Sequence, residues 1–439
     1  MGAATTGARH RTAFLNARLL DPDSGTDQSG SLLVEDGRIA DLGPALFADG
    51  PPEGVVAIDC GGHCLAPGLV DMRVQLREPG EEHKETIGSG SRAAAAGGVT
   101  TMVALPNTEP VIDDGAGVEF VARRARDVKL GKVYTYGAAT VGLMGQQLTE
   151  FGLLAEYGAV GFTDGIKAIA DAQVMRRALS YARTFDKVIL QHPEEPSLAG
   201  GVMNGGALAT RLGLSGIPTQ AEVMMIERDL RLVELTGGRY HASHISTAAA
   251  VEVIRRAKAG GAAVTCDTAP HYFTLNEDAV GEYRTFAKVS PPLRSEADRL
   301  AVLDGVADGT IDAIASDHAP HDQESKRLPF AAAEPGIAGL ETLLALSLGL
   351  YHAGHIGLLD LLGRLTNGPR KLLGLEAGRI FKGGPADLVL FDLQAPSRIE
   401  PDDFVSKSKN SPFDGYAVRG MVLKTVVDGR IVFAADAVA

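Results

Sequence analysis

A chain of 439 residues is long for one compact domain and suits an α/β barrel of roughly 250 residues plus an accessory domain. Hydrophobic content of 45% and charged content of 22% are those of a soluble globular protein. The net charge of −13 excludes a nucleic-acid groove or an anionic membrane surface as the main partner.

From the start of the chain, MGAATTGARHRTAF lacks the apolar core of a signal peptide. Gly2 and Thr6 match a loose myristoylation pattern, but nothing nearby supplies a second anchor. SLLVEDGRIADLG then alternates apolar and polar residues around Asp36-Gly37, a hairpin signal because both turn positions need positive φ. Residues 48–53 read as a surface loop. The three cysteines Cys60, Cys64 and Cys266 match neither a disulfide framework nor a paired zinc knuckle, which predicts a reducing, cytoplasmic home.

Short β runs alternating with longer helical runs follow. Strands are expected at 69–74, 100–105, 132–138, 159–162, 187–191, 239–242, 263–266 and 311–315, separated by segments such as AQVMRRALSYART. An open doubly wound sheet fits the same periodicity, but eight successive βα units favour a closed parallel barrel. The most apolar helix, at 340–351, is interrupted by Glu341 and too short to span a bilayer. Near the end, GPADLVLFD and the Asp428-Gly429 hairpin KTVVDGRIVF repeat the pattern of the start. The fold class is therefore α/β: a (β/α)8 TIM-type barrel over 67–374, with a small β-sandwich domain built from 1–66 and 375–439.

Active sites of such barrels lie just past the C-terminal ends of the strands. Those exits read DMRVQLREPG, PNTEP, TDG, HPEE, SHIST and SDHAPH, so ligand-type side chains stand at six of eight. Together with SPPLR, GIAGLET and SPFDGYAVRG, in this order, the chain closely resembles the dihydroorotase family from about Gly68 to Phe433. The resemblance implies reversible cyclisation of N-carbamoyl-L-aspartate to L-dihydroorotate in pyrimidine synthesis, on a zinc-dependent site.

The family's strand-one His-x-His metal pair is replaced by Arg73 and Gln75. Arginine stays protonated and a glutamine amide is a poor zinc ligand, so one metal position is lost. The resemblance leaves Asp164, His192 and His244 as a three-ligand set for a single zinc ion, with Asp317 as the catalytic carboxylate. Read without the family, Asp164 caps the turn at Gly165, and a lone strand-end histidine is more often structural. The two histidines stand apart from that base rate because Asp164 and Asp317 occupy matching exits. His241 points to the opposite strand face and is expected to pack. His271 and His318 are expected to be supporting groups, and His63 and His83 surface residues.

Arg77 and Asn107 match the family's substrate-carboxylate clamp, since an arginine fork holds a carboxylate by two parallel bonds. Their alternative role is a bond to the barrel rim. His321 and the backbone at Gly336 match substrate contacts. Ser290 stands where the family has Asn, and Pro193 where it has Cys. The leading reading is a homo-oligomeric enzyme acting on a small molecule. The runner-up is an inactive scaffold partner of aspartate carbamoyltransferase. A hydantoinase- or allantoinase-type ring opener is third: the carboxylated lysine of that group falls at Asp164 here, and Lys167 lies three residues on, in a turn unsuited to bridging two metals.

Overall fold

The computed structural model describes residues 11–435, so the N-terminal segment holding Gly2 and Thr6 lies outside the described residues. All eight expected barrel positions carry a strand: Leu69–Val74, Val99–Ala104, Lys132–Ala138 in two pieces, Phe162–Thr163, Val188–Gln191, Arg239–Ala242, Val264–Thr268 and Ala313–Ile314. Neighbours pair in parallel. The ring closes where Gln75 N donates to His318 O at 2.9 Å, beside a parallel bridge between Val74 and His318. The fold is the closed barrel and not an open sheet.

The last strand is shorter than the sequence suggests because Ser316 N turns to the Asp71 carboxylate, at 3.2 Å, instead of a ladder carbonyl. Inside the barrel, Val70, Met72, Val103, Leu105, Leu190 and Ala313 form an apolar floor. Each fully buried large aliphatic in it contributes about 1.5–3 kcal/mol. The polar mouth is built on top of that floor.

The outer helices follow from cap and stripe. In Ala172–Arg183, Asp171 accepts from Gln173 N and Val174 N, and Val174, Met175, Ala178, Leu179 and Ala182 are buried. That spacing is one face of a 3.6-residue helix, laid on the barrel. Of the described helices, none is long and apolar enough to cross a membrane.

Strands from both chain ends form one eight-stranded sheet. Arg430–Ala434, Ala417–Val427, Leu388–Arg398, Cys64–Pro67, Arg11–Asp21, Thr26–Glu35 and Arg38–Gly43 lie in that spatial order, with Val56–Asp59 pairing Arg11–Asp21. Asp36, Gly37, Asp428 and Gly429 all have positive φ, the backbone that both hairpin turns require. The two turns also meet: Ala386 N donates to Gly37 O and Gly429 N donates to Ala386 O. The chain passes from this sheet into the barrel at Gly68, where a Cβ would sit 2.2 Å from the Thr100 side chain. All three cysteines are buried and free.

Candidate active site

Three residues at strand exits share an unusual backbone. Arg77, His244 and Asp317 have φ of 59°, 41° and 50°, in the left-handed region that L residues seldom adopt. Each such residue costs of order 1–3 kcal/mol and persists only where the surroundings hold it, as they do at functional sites. This turn re-aims each side chain towards the mouth.

On the side of strands one and eight, Arg73 Nε donates to Asp317 Oδ1 at 2.8 Å, with both side chains buried. Asp317 Oδ2 takes no hydrogen bond among the described residues and lies 3.9 Å from His271 Nε2. Burial raises the Asp317 carboxyl above its ordinary range, and the Arg73 charge offsets part of that rise. Burial also keeps His271 neutral, with its pKa lowered to about 3. Gln75 accepts from Asn107 Nδ2 at 3.0 Å, and Asn107 also covers Gly165.

The side of strands five and six is a chain of hydrogen-bonded imidazoles. His192 Nε2 lies 3.0 Å from Glu194 Oε2, and His192 Nδ1 lies 2.8 Å from His244 Nε2. Although burial opposes it, bonds and charge from His192, with the charge of Arg294, hold Glu194 below its usual range. Burial, with the Arg73 charge, drives the His244 pKa well down. An ionised Glu194 only accepts, so His192 donates to it through Nε2. His244 Nδ1 is buried with no hydrogen-bond partner among the described residues. Ser290 Oγ donates to Glu194 Oε2 at 2.8 Å and lies 3.4 Å from His192 Nε2.

Of the expected zinc ligands, His192 and His244 are brought together, but the three do not converge as a set. Asp164 receives Thr140 N at 2.8 Å and Thr140 Oγ1 at 2.6 Å, so both its oxygens are engaged, though not with the Gly165 turn. Two nitrogens on a tetrahedral zinc at ordinary bond lengths stand roughly 3.3 Å apart. His192 and His244 are closer, at 2.8 Å, and share a hydrogen bond. Among the described residues, no three His, Cys, Asp or Glu side chains converge as a metal cage. As arranged, Asp164, His192 and His244 do not fit the expected ion. The reason is that Thr140 and the facing imidazole satisfy the donors first.

On the rim, Arg77 Nε donates to Pro320 O at 3.2 Å and Nη1 to Glu81 Oε2 at 2.9 Å, while Nη2 faces His321 Nε2 at 3.2 Å. Arg77, His321 and Gly336 are thus gathered, with the Gly336 Cβ position 3.1 Å from the His321 ring. The rim bonds foreseen as the alternative for Arg77 are present. His241 packs, with Nδ1 2.9 Å from Thr265 Oγ1. His318 accepts from Gly339 N at 3.1 Å, and the side chains of His63 and His83 are exposed. Lys167 is exposed and does not enter the barrel.

Sequence reasoning missed several groups. Glu194 stood in the quoted HPEE without a role, and its neighbour His192 was the available signal. Asn410 was also overlooked. It accepts from His321 N and donates to Ala319 O and Gly336 O, each at 3.0 Å, and so pins the strand-eight loop. It sits directly before SPFDGYAVRG. Thr140 had no local signal.

A closed barrel with a polar mouth, carrying a sheet made from both chain ends, is the architecture of cyclic amidohydrolases. The structure superposes on L-hydantoinase (dihydropyrimidinase) from Arthrobacter aurescens with a TM-score of 0.86 and 26% identity, covering 96% of this chain and 95% of that one. It matches the fold of dihydropyrimidinase from Brevibacillus agri with a TM-score of 0.84 at 22% identity, over 97% and 95% of the two chains. A family model described as dihydro-orotase-like matches residues 62–250. In sequence the chain is 46% identical to a dihydroorotase of Anaplasma phagocytophilum over 97% of this chain and 96% of the relative. It is 47% identical to a dihydroorotase of Pelobacter propionicus over 95% and 98%. The chain belongs to the dihydroorotase family.

Proposed function

We propose that the barrel mouth interconverts N-carbamoyl-L-aspartate and L-dihydroorotate in de novo pyrimidine biosynthesis. The observation that carries the reading is near-full-length identity of 46–47% to proteins named dihydroorotase. The free Oδ2 of a buried, raised-pKa Asp317 supplies the base that such a reaction needs. In the hydrolytic direction water adds to the ring carbonyl attached to the ring CH2. Asp317 Oδ2 takes a proton from that water and passes it to the ring nitrogen as the C–N bond breaks. Cyclisation is the reverse and releases the water.

Arg73 holds Asp317 by its other oxygen and fixes which one faces the substrate. Arg77 and Asn107 bind the exocyclic carboxylate, with His321 and the Gly336 backbone over the ring. Two of the five Arg77 N–H groups remain after its rim bonds, enough for one side of a carboxylate. Ser290 holds Glu194, which sets the His192 tautomer. No step is routed through zinc, because the residues present do not fit it. We assign the reaction to the cytoplasm, on the three free, buried cysteines.

The test is ring opening of L-dihydroorotate by the full chain. Turnover by the parent, abolished in Asp317→Asn with unchanged circular dichroism, is the expected result. A parent that turns over neither compound, with or without zinc, overturns the reading. If that silent parent co-elutes with aspartate carbamoyltransferase, the scaffold reading replaces it.

A further inference from the structure

At the exits of strands one and eight the mouth holds a permanent cation, Arg73. Arg73 is 4% exposed, donates through Nε to Asp317 at 2.8 Å, and brings Nη2 to 3.5 Å from Gly165 O, next to Asp164. Its own backbone N donates to Asp71 Oδ1 at 3.2 Å. One guanidinium therefore spans from the exit of strand eight to that of strand four. Such a group cannot lose its proton, and a buried carboxylate facing it is compensated in place.

Two independent features agree with this. Asp164 turns both oxygens to Thr140 and not into the ring. Gln75, two residues beyond Arg73 on the same strand face, spends its carbonyl oxygen on Asn107. A divalent ion here would stand against a fixed positive charge and find every nearby carboxylate already engaged on at least one oxygen.

We propose that the guanidinium of Arg73 is the resident cation of this site. It takes the electrostatic place of a divalent ion at the strand-one and strand-eight exits, keeps such an ion from binding, and positions Asp317. The part concerning turnover rests on the dihydroorotase reading; the part concerning ion binding does not.

The experiment compares the parent, Arg73→Lys and the double variant Arg73→His/Gln75→His, all full length. Each is dialysed against chelator, then titrated with zinc, and bound zinc is counted by elemental analysis. Expected are no tightly bound zinc in the parent or in Arg73→Lys, and one or more equivalents in the double variant. Turnover of dihydroorotate by the parent is expected to be the same in chelator as in added zinc. In Arg73→Lys, kcat falls on the order of ten- to a hundred-fold, the size of a lost charge-assisted bond. KM moves little, because Arg73 touches Asp317 and not the substrate.

A parent that holds one zinc per chain through dialysis overturns the proposal, whether or not the double variant folds. So does a folded double variant that takes up no zinc. A parent active only with zinc overturns it while leaving the dihydroorotase reading intact. A zinc-free parent with no turnover, beside a zinc-binding double variant, leaves Arg73 as resident cation and removes the dihydroorotase reading instead.

Discussion

The two sides of the barrel mouth solve the problem of buried polarity differently. At strands one and eight, a carboxylate and a guanidinium neutralise each other at 2.8 Å. At strands five and six, Glu194, His192 and His244 form a chain of hydrogen bonds that ends on an imidazole nitrogen with no hydrogen bond among the described residues, while Glu194 Oε1 has only Arg294 Nη2, 4.0 Å away. An unsatisfied buried polar group costs about 1–3 kcal/mol. The charged side therefore keeps one free carboxylate oxygen, Asp317 Oδ2, and the imidazole side keeps unbonded ring and carboxylate atoms for something that enters the mouth. Substitutions on the two sides should separate accordingly.

The largest effect is expected at the charged side. Asp317→Asn keeps the shape but cannot accept a proton, so kcat should fall about 10²–10⁴-fold. Thermal stability should fall as well, since Arg73 is left as a buried charge facing a neutral amide. A variant with near-parental turnover would move the base to the imidazole side.

Next is the rim. Arg77→Lys keeps a charge but loses the fork, and kcat/KM should drop roughly ten- to a hundred-fold, mostly through KM. If KM is unchanged while the melting temperature falls, then the bonds to Pro320 and Glu81 are the whole role of Arg77. On the imidazole side, Glu194→Gln should redistribute the ring protons, since an amide can donate where the carboxylate only accepts. Nitrogen NMR of the two rings reads this directly. Unchanged ring shifts would mean that Glu194 does not set the chain.

Much of this was legible in the sequence, and the legible parts are local. Asp36-Gly37 and Asp428-Gly429 carry their turn geometry in two residues. Strand positions such as Leu69–Val74 and Arg239–Ala242 follow from short apolar runs between helical stretches. The replacement of two histidines by Arg73 and Gln75 was visible at once. What stayed hidden depends on partners far along the chain. Asp164 faces Thr140 across 24 residues, and His192 meets His244 across 52. Ser290 reaches Glu194 across 96 residues. A motif names the groups at a strand exit, but barrel closure decides which groups they satisfy. That is why the three-residue zinc set, reasonable as a list, did not assemble.

The smallest effect lies away from the mouth and serves as a control on both sides. Burial pushes the Glu341 carboxyl up to about 7, although it accepts from Val405 N at 2.8 Å and Ser406 N at 3.0 Å. The folded chain then holds this proton up to about pH 7, whereas the unfolded chain releases it near the ordinary value of 4.5. Between those limits the folded state binds more protons, so stability falls as pH rises, by at most roughly 1.4 kcal/mol per pH unit from this group. In Glu341→Gln that slope should flatten while kcat stays at the parental level. A slope identical to the parent's would show that Glu341 ionises normally.

The most direct measurement is the rate of L-dihydroorotate ring opening by the chelator-dialysed parent, assayed side by side with and without added zinc. Turnover should be equal in the two samples and lost in Asp317→Asn. Turnover that appears only with zinc would contradict the place given to Arg73, and none in either sample would contradict the enzyme itself.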